Sequence, residues 1–210
     1  MDPYQKKWNS ASIVSIPKKG DVSDRSNYRG ISLIKVGLKI ISKNITDRIS
    51  SFALTYNFIR PEQFGFRDRE ECINLFISVR EICQKRKFLG KFTYLGFLDF
   101  KKAYDSVPIL NIHTKLYHYG VRGKYFWFSL QFIYFIQSMC SICFNVISNE
   151  FPIKRGVRQG CALSPMLFNL FINDILNYCE KYGVNIGRKK CCGGTICWWC
   201  CSHCSKCKKI

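Results

Sequence analysis

The stretch that most constrains this chain is Leu98–Val107, LDFKKAYDSV, because it sets a carboxylate at the end of an apolar run. Residues 91–98 read KFTYLGFL, with Lys91 and Thr93 near the start and apolar or aromatic side chains following, a pattern that suits a strand covered on both faces. An ionised carboxylate is costly to bury without a positive partner, so the strand must stop near Asp99, which then either caps the next element or binds a cation. Asp105, with Ser106 and Pro108, equally suits a helix start. Asp99 holds the strand end, where sites of α/β and α+β proteins lie.

With 210 residues the chain can bury a sizeable core as one domain or a pair of subdomains, and 47% hydrophobic with 15% aromatic residues make it globular. Lys and Arg number 33 against 14 Asp and Glu, a formal charge of +19 spread from Lys6 to Lys209. Such a distributed basic surface points to a polyanion, most simply nucleic acid. The most apolar stretch, residues 125–136, is short for a bilayer and broken by Gln131, so it reads as a buried helix and no membrane partner is expected. No charged-then-apolar signal opens the sequence, which favours an intracellular, reducing setting, cytoplasmic or nuclear. Seven of the 13 cysteines lie between Cys191 and Cys207, and the other six are scattered as small core residues would be.

In chain order, SIVSIP reads as a strand and KKGDVSDRSNYRG as a mobile basic loop carrying Lys18, Lys19, Arg25 and Arg29. From Ile31, apolar positions Leu33, Ile34, Leu38, Ile41, Ile45 and Ile49 predict an amphipathic helix. Residues 59–71 form a turn-rich break, and Cys72, Leu75, Phe76, Val79 and Ile82 mark a second helix. After Pro108, the positions Leu110, Leu116, Tyr117 and Tyr119 line a helix closed by Gly120. Residues 138–154 alternate as a hairpin with its turn at Ser148–Asn149. In KRGVRQGCALSP, two glycines flank Val157, Arg158 and Gln159, so the backbone can approach a ligand to which Arg158 and Gln159 offer donors. Ser164 and Pro165 fit the cap and first position of a helix through Lys181.

IPKKGD, SNYRGISL, RPEQFGFR, LDFKKAYDSV and GVRQGCALSPMLFNLFIND follow one another in that order. Over roughly residues 12–187 this series resembles the reverse transcriptase domain of non-LTR (LINE-type) retrotransposons. The resemblance implies an α+β right-hand polymerase with fingers at 1–91, a partial palm at 92–187 and no thumb, followed by a Cys-rich tail at 188–210 expected to be disordered. It implies an RNA template, a DNA primer, a deoxynucleoside triphosphate, and two divalent ions, Mg2+ or Mn2+, held by palm carboxylates. By the same resemblance Asp99 is the catalytic metal ligand, helped by the Phe100 carbonyl, and Tyr104 abuts the incoming sugar, where most members carry Phe. Lys18, Lys19 and Arg29 match the residues that grip the triphosphate. Gln159 and Gly160 match the second palm motif, and Pro165, Phe168 and Asn169 the helix supporting it. Asp105 matches a family Asp that is not a metal ligand. Arg69 and Glu70 depart from the family's Gly then Arg.

The family's third palm motif, an aromatic-Ala-Asp-Asp turn, does not occur, and neither Asp174 nor Glu180 can replace it. One carboxylate cannot clamp two ions, so the expectation is a reverse transcriptase fragment that does not catalyse as it stands, or a non-catalytic nucleic-acid-binding remnant. In the motif's place stands CCGGTICWWCCSHCSKCKKI. Cys197 and Cys200, Cys201 and Cys204, and Cys204 and Cys207 are each spaced C-x-x-C, which suits zinc, but these pairs abut or overlap where zinc knuckles need a loop between them, so zinc is the disfavoured alternative. A frameshift is favoured: Trp198 and Trp199 require TGG TGG, which one base later, before a Cys codon, reads Gly-Gly. The shifted frame gives an aromatic residue, Ala or Val, two glycines each one base from Asp, and an apolar strand.

Overall fold

The computed structural model describes residues 10–67, 71–124, 126, 138–143, 146–178, 184–186 and 189–191. The chain divides into two units, Met1–Phe58 with Lys102–Phe171, and Ile59–Lys101 with Ile172–Ile210. Helices and short sheets mix as expected of an α+β chain.

In the first unit, β1 (Ser10–Pro17) sits inside a four-stranded sheet of order β2-β1-β3-β4, with β2 at Tyr28–Leu33, β3 at Ser138–Cys143 and β4 at Val146–Ile147. β1 runs antiparallel to β2, from Ser12 opposite Leu33 to Pro17 opposite Tyr28, and parallel to β3, from Ser10 opposite Ser138 to Val14 opposite Ile142. Pro17 has no N–H to donate and ends the strand. Cys143 pairs with Val146 and Ile142 with Ile147, antiparallel, so Val146 and Ile147 already belong to the returning strand and the hairpin does not turn at the expected Ser148–Asn149. The β1 ladder ends where Val14 lies opposite Ile142.

Ile31–Leu33, expected to open a helix, belong to β2, because the β1 ladder claims their backbone on one side. On the other, the Ser32 N–H donates to the Gln159 carbonyl at 2.7 Å. Helix α1 therefore begins later, at Val36, and runs to Thr55, burying Leu38, Ser42, Ile45, Ile49 and Ala53 at three- and four-residue spacing. The second helix expected, α2, spans Cys72–Phe88 in the other unit. A four-residue helix, α3 (Ala103–Ser106), leads into α4 (Ile109–His118). Gly120, at φ +82°, closes α4 as expected, and the Val121 N–H reaches back to the Leu116 carbonyl at 3.0 Å. The buried face of α4 is Ile112, His113 and Leu116, whereas Leu110 and Tyr117, expected to face inward, share the solvent side seven residues apart.

Helix α5 (Leu163–Ile172) is buried almost all round, with Leu163, Leu167, Asn169 and Leu170 no more than 2% exposed. It starts at Leu163, so Ser164 and Pro165 lie within its first turn rather than at the cap; the missing Pro N–H has no intrahelical partner to lose there. It ends at Ile172, and a 3-10 turn at Ile175–Tyr178 replaces the continuous helix expected through Lys181. The Ser50 hydroxyl lies 3.8 Å from the Met166 sulfur, tying α1 to α5.

In the second unit, Ile59–Arg67 folds around Arg67, whose guanidinium donates to the carbonyls of Arg60 at 3.2 Å and of Pro61 and Gln63 at 3.4 Å. The Arg60 N–H donates to Asn173 Oδ1 at 2.9 Å. Lys91–Phe100 form no strand, which corrects the expectation of a doubly covered one: Phe92, Tyr94 and Phe97 are 82–93% exposed. A buried strand needs hydrogen-bonding edges and covering layers, and among the described residues neither sheet takes this segment in. Arg86 holds it instead, donating to Thr93 Oγ1 at 2.9 Å and to the Phe92 carbonyl at 2.6 Å. Strands β5 (Val184–Ile186) and β6 (Lys189–Cys191) pair antiparallel. The helix expected at 125–136, apart from Phe126, the departure at Arg69 and Glu70, and Cys197, Cys200, Cys204 and Cys207 lie outside the described residues.

Candidate functional site

The loop Gly156–Gly160 is fastened on two sides. The Gly156 and Val157 N–H groups donate to the carbonyls of Val107 at 2.9 Å and Tyr104 at 2.8 Å, and the Gln159 carbonyl accepts from Ser32 of β2. Both glycines are required. Gly156, at φ +91°, sits where a Cβ would come within 2.9 Å of Asp105 Cα and the Tyr104 carbonyl oxygen, and at Gly160, φ +108°, a Cβ would lie 2.7 Å from the Ser32 oxygen. The backbone is thus wedged between α3 and β2, with Gly160 at the surface.

Three of the residues expected at a nucleotide site meet around this loop. Tyr104 is 7% exposed and stacks on Phe168 with ring centroids 5.2 Å apart, so α5 supports its ring. Gln159 and Gly160 lie beside β2, the strand that carries Arg29. Arg29 is half-buried opposite Ile16, and Lys19 is exposed. Pro165 and Asn169 belong to α5.

The β1–β2 connection carries Lys18, and it is bound together rather than loose. Its Asp and Ser residues account for this: Asp21 accepts from the Ser23 N–H at 2.8 Å and hydroxyl at 2.7 Å, and Asp24 from the Ser26 N–H at 2.8 Å and hydroxyl at 2.6 Å. Asn27 donates to the Asp21 carbonyl and the Tyr28 hydroxyl to that of Val22. The backbone and hydroxyl of Ser23 hold the Asp21 carboxyl below its ordinary range, and the hydroxyl and backbone of Ser26 do the same for Asp24. Lys18 donates to the Ser26 carbonyl at 3.3 Å.

Lys18 and Lys102 both act on the carboxyls of Asp24 and Asp105, which brings the β1–β2 connection to the start of α3. Asp105 presents much surface to solvent, yet the protein packed about its carboxyl raises its pKa against the pull of those two lysines. Lys102 caps α3 from the left-handed region, φ 51° and ψ 50°. Sequence reasoning passed over Lys102, and its signal was the lysine pair preceding AYDS. It also gave no sign that Arg158, read as a ligand-facing donor, is buried at 9% exposure.

Asp99 and Phe100 belong to the second unit, both exposed in irregular backbone. Among the described residues no group of three or more His, Cys, Asp or Glu could hold a metal ion. The described side chains therefore do not fit a two-metal clamp, for which Asp99 offers one carboxylate. No helix among the described residues is long and apolar enough to cross a membrane.

Residues 16–193 match the family described as reverse transcriptase (RNA-dependent DNA polymerase), and the chain belongs to that family. Its relatives are proteins of non-LTR retrotransposons. The chain is 30% identical over 178 residues to the transposon TX1 uncharacterized 149 kDa protein of Xenopus laevis, a match covering 81% of this chain and 13% of that protein. It is 26% identical to the retrovirus-related Pol polyprotein of the type-1 retrotransposable element R2 of Popillia japonica, covering 87% of this chain and 26% of that one. It is 28% identical to the probable RNA-directed DNA polymerase from transposon X-element of Drosophila melanogaster, covering 82% and 19%. The chain thus spans between about an eighth and a quarter of the length of these relatives.

Proposed function

We propose that this chain is the fingers and partial palm of an RNA-directed DNA polymerase, with residues 1–91 as fingers and 92–187 as palm, and that its own residues bind nucleotide and nucleic acid. The observation carrying this reading is the Gly156–Gly160 loop, fixed between Tyr104 and Ser32 in the unit that also holds Lys18 and Arg29. Lys18, Lys19 and Arg29 take the triphosphate, Tyr104 backs the sugar through the Phe168 stack, and Gln159 and Gly160 meet the nucleotide and template. Asp99 and the Phe100 carbonyl contribute to a metal site that these residues alone leave incomplete. The chain by itself is therefore a binder of RNA template and DNA primer rather than a polymerase.

Primer extension on an RNA template with magnesium or manganese, comparing this chain with Asp99→Ala, tests the reading. We expect no extension, together with RNA binding whose affinity falls steeply with salt and depends little on sequence. Extension abolished by Asp99→Ala would show that the site is complete. Loss of both extension and RNA binding in a folded protein would overturn the assignment.

A further inference from the structure

Arg158 is 9% exposed, and none of its three guanidinium nitrogens meets an acceptor. A buried, unpaired guanidinium is among the costlier arrangements a fold can hold, so its retention calls for a partner that arrives from outside. The described carboxylates of its own unit are engaged elsewhere or exposed: Asp21 and Asp24 with serines, Asp47 with Lys43 at 2.6 Å, while Asp105 and Glu150 are exposed. Burial lowers the Arg158 pKa to about 9, with Cys161 acting in the opposite direction, so the group remains a cation at neutral pH.

Its neighbour shows what else the partner must carry. The Gln159 side-chain oxygen is also buried without a donor. A carboxylate would satisfy Arg158 and leave this acceptor unmet. A nucleotide brings both an oxyanion and N–H or O–H donors. Both side chains belong to the loop that reaches the surface at Gly160, the residue after Gln159.

We propose that Arg158 is a phosphoryl-anchoring residue of the nucleotide site, held in an uncompensated buried pose until an incoming nucleotide pairs with it while giving a donor to Gln159. The identity of the ligand rests on the polymerase reading above, whereas the need for an oxyanion rests on Arg158 alone. Because the cation is unpaired in the free protein, removing it relieves the unliganded fold and removes the binding gain together. A residue with a purely structural pairing would lose stability when removed.

Thermal unfolding of the purified chain, followed with deoxyadenosine triphosphate, sodium tripolyphosphate or acetate at matched ionic strength and in 0.5 M salt, tests this. High salt screens the exposed lysines and arginines far more than a buried pair. Arg158→Met is expected to unfold at or above the wild-type temperature without ligand and to bind the nucleotide at least 10-fold more weakly. Arg158→Lys, which keeps the charge but not the planar fork, is expected between the two. Stabilisation of the wild type should be larger with nucleotide than with tripolyphosphate and absent with acetate. Lower stability of Arg158→Met without ligand, an unchanged nucleotide response, an Arg158-dependent response to acetate, or loss of the difference in 0.5 M salt would each overturn the proposal. Failure of primer extension leaves these binding results standing, so the two tests fail separately.

Discussion

The Val157 N–H donates to the Tyr104 carbonyl at 2.8 Å, joining two segments that lie far apart in sequence. Gly156 makes the contact possible, since any Cβ there would strike Tyr104 and Asp105. Gly156→Ala therefore meets both backbone strain and a collision. We expect a loss of about 2–4 kcal/mol in urea unfolding, at the upper end of single-residue effects, together with weakened nucleotide binding.

Tyr104 is packed as a core ring against Phe168. Tyr104→Ala should cost about 3–5 kcal/mol by removing a buried aromatic, and Tyr104→Phe much less because the ring stack survives. Denaturant midpoints of the two variants, compared at equal slope, check this.

The exposed segment before Asp99 gives the opposite expectation. Phe97 is 91% and Tyr94 is 93% exposed, so Phe97→Ser and Tyr94→Ser should each change stability by no more than about 0.5 kcal/mol and should improve solubility. A loss of several kcal/mol in chemical denaturation would instead mean that these rings are buried in solution.

Burial lowers the His113 pKa from 6.5 to about 4. The unfolded chain then binds more protons than the folded one between those values, so this residue's contribution to stability is full above about pH 6.5 and is lost as pH falls toward 4. Asp105, whose folded pKa is raised above 3.8, acts in the other sense: its contribution declines as pH rises from 3.8 through the folded value. Denaturation midpoints across pH 4–7 should therefore slope less in His113→Gln than in the wild type.

The Lys43–Asp47 pair, at 2.6 Å, joins side chains 66% and 57% exposed on α1. Lys43→Ala should shift stability by no more than about 0.5 kcal/mol, and by less still in high salt. Urea titrations at low and high salt would show it.

Much of the unit around β1 was legible because local chemistry decides it. The run SIVSIP, the spacing of Leu38, Ile45 and Ile49, and Gly120 after α4 each contain their own instruction. Where partners decide, the sequence was silent. Ile31–Leu33 carry a helical spacing, yet their backbone is taken by β1 and Gln159. KFTYLGFL has the composition of a buried strand, but composition cannot supply the neighbouring edges a strand requires. At the site, the paired glycines announced a close approach, while the burial of Arg158 is a product of the folded surroundings that its neighbours in sequence do not encode. The turn at Asp21–Asn27 read as mobile because glycine, serine and aspartate favour both loose loops and hydrogen-bonded turns.

The place of β1 in its sheet also sets a timetable for biosynthesis. One of its edges is matched almost at once by Tyr28–Leu33, but the other waits for Ser138–Ile142 to leave the ribosome. During that interval a strand rich in isoleucine and valine offers an open edge to any nascent neighbour. Folding is expected to be slowed by this order of assembly, since the closing contact is among the most distant in the chain.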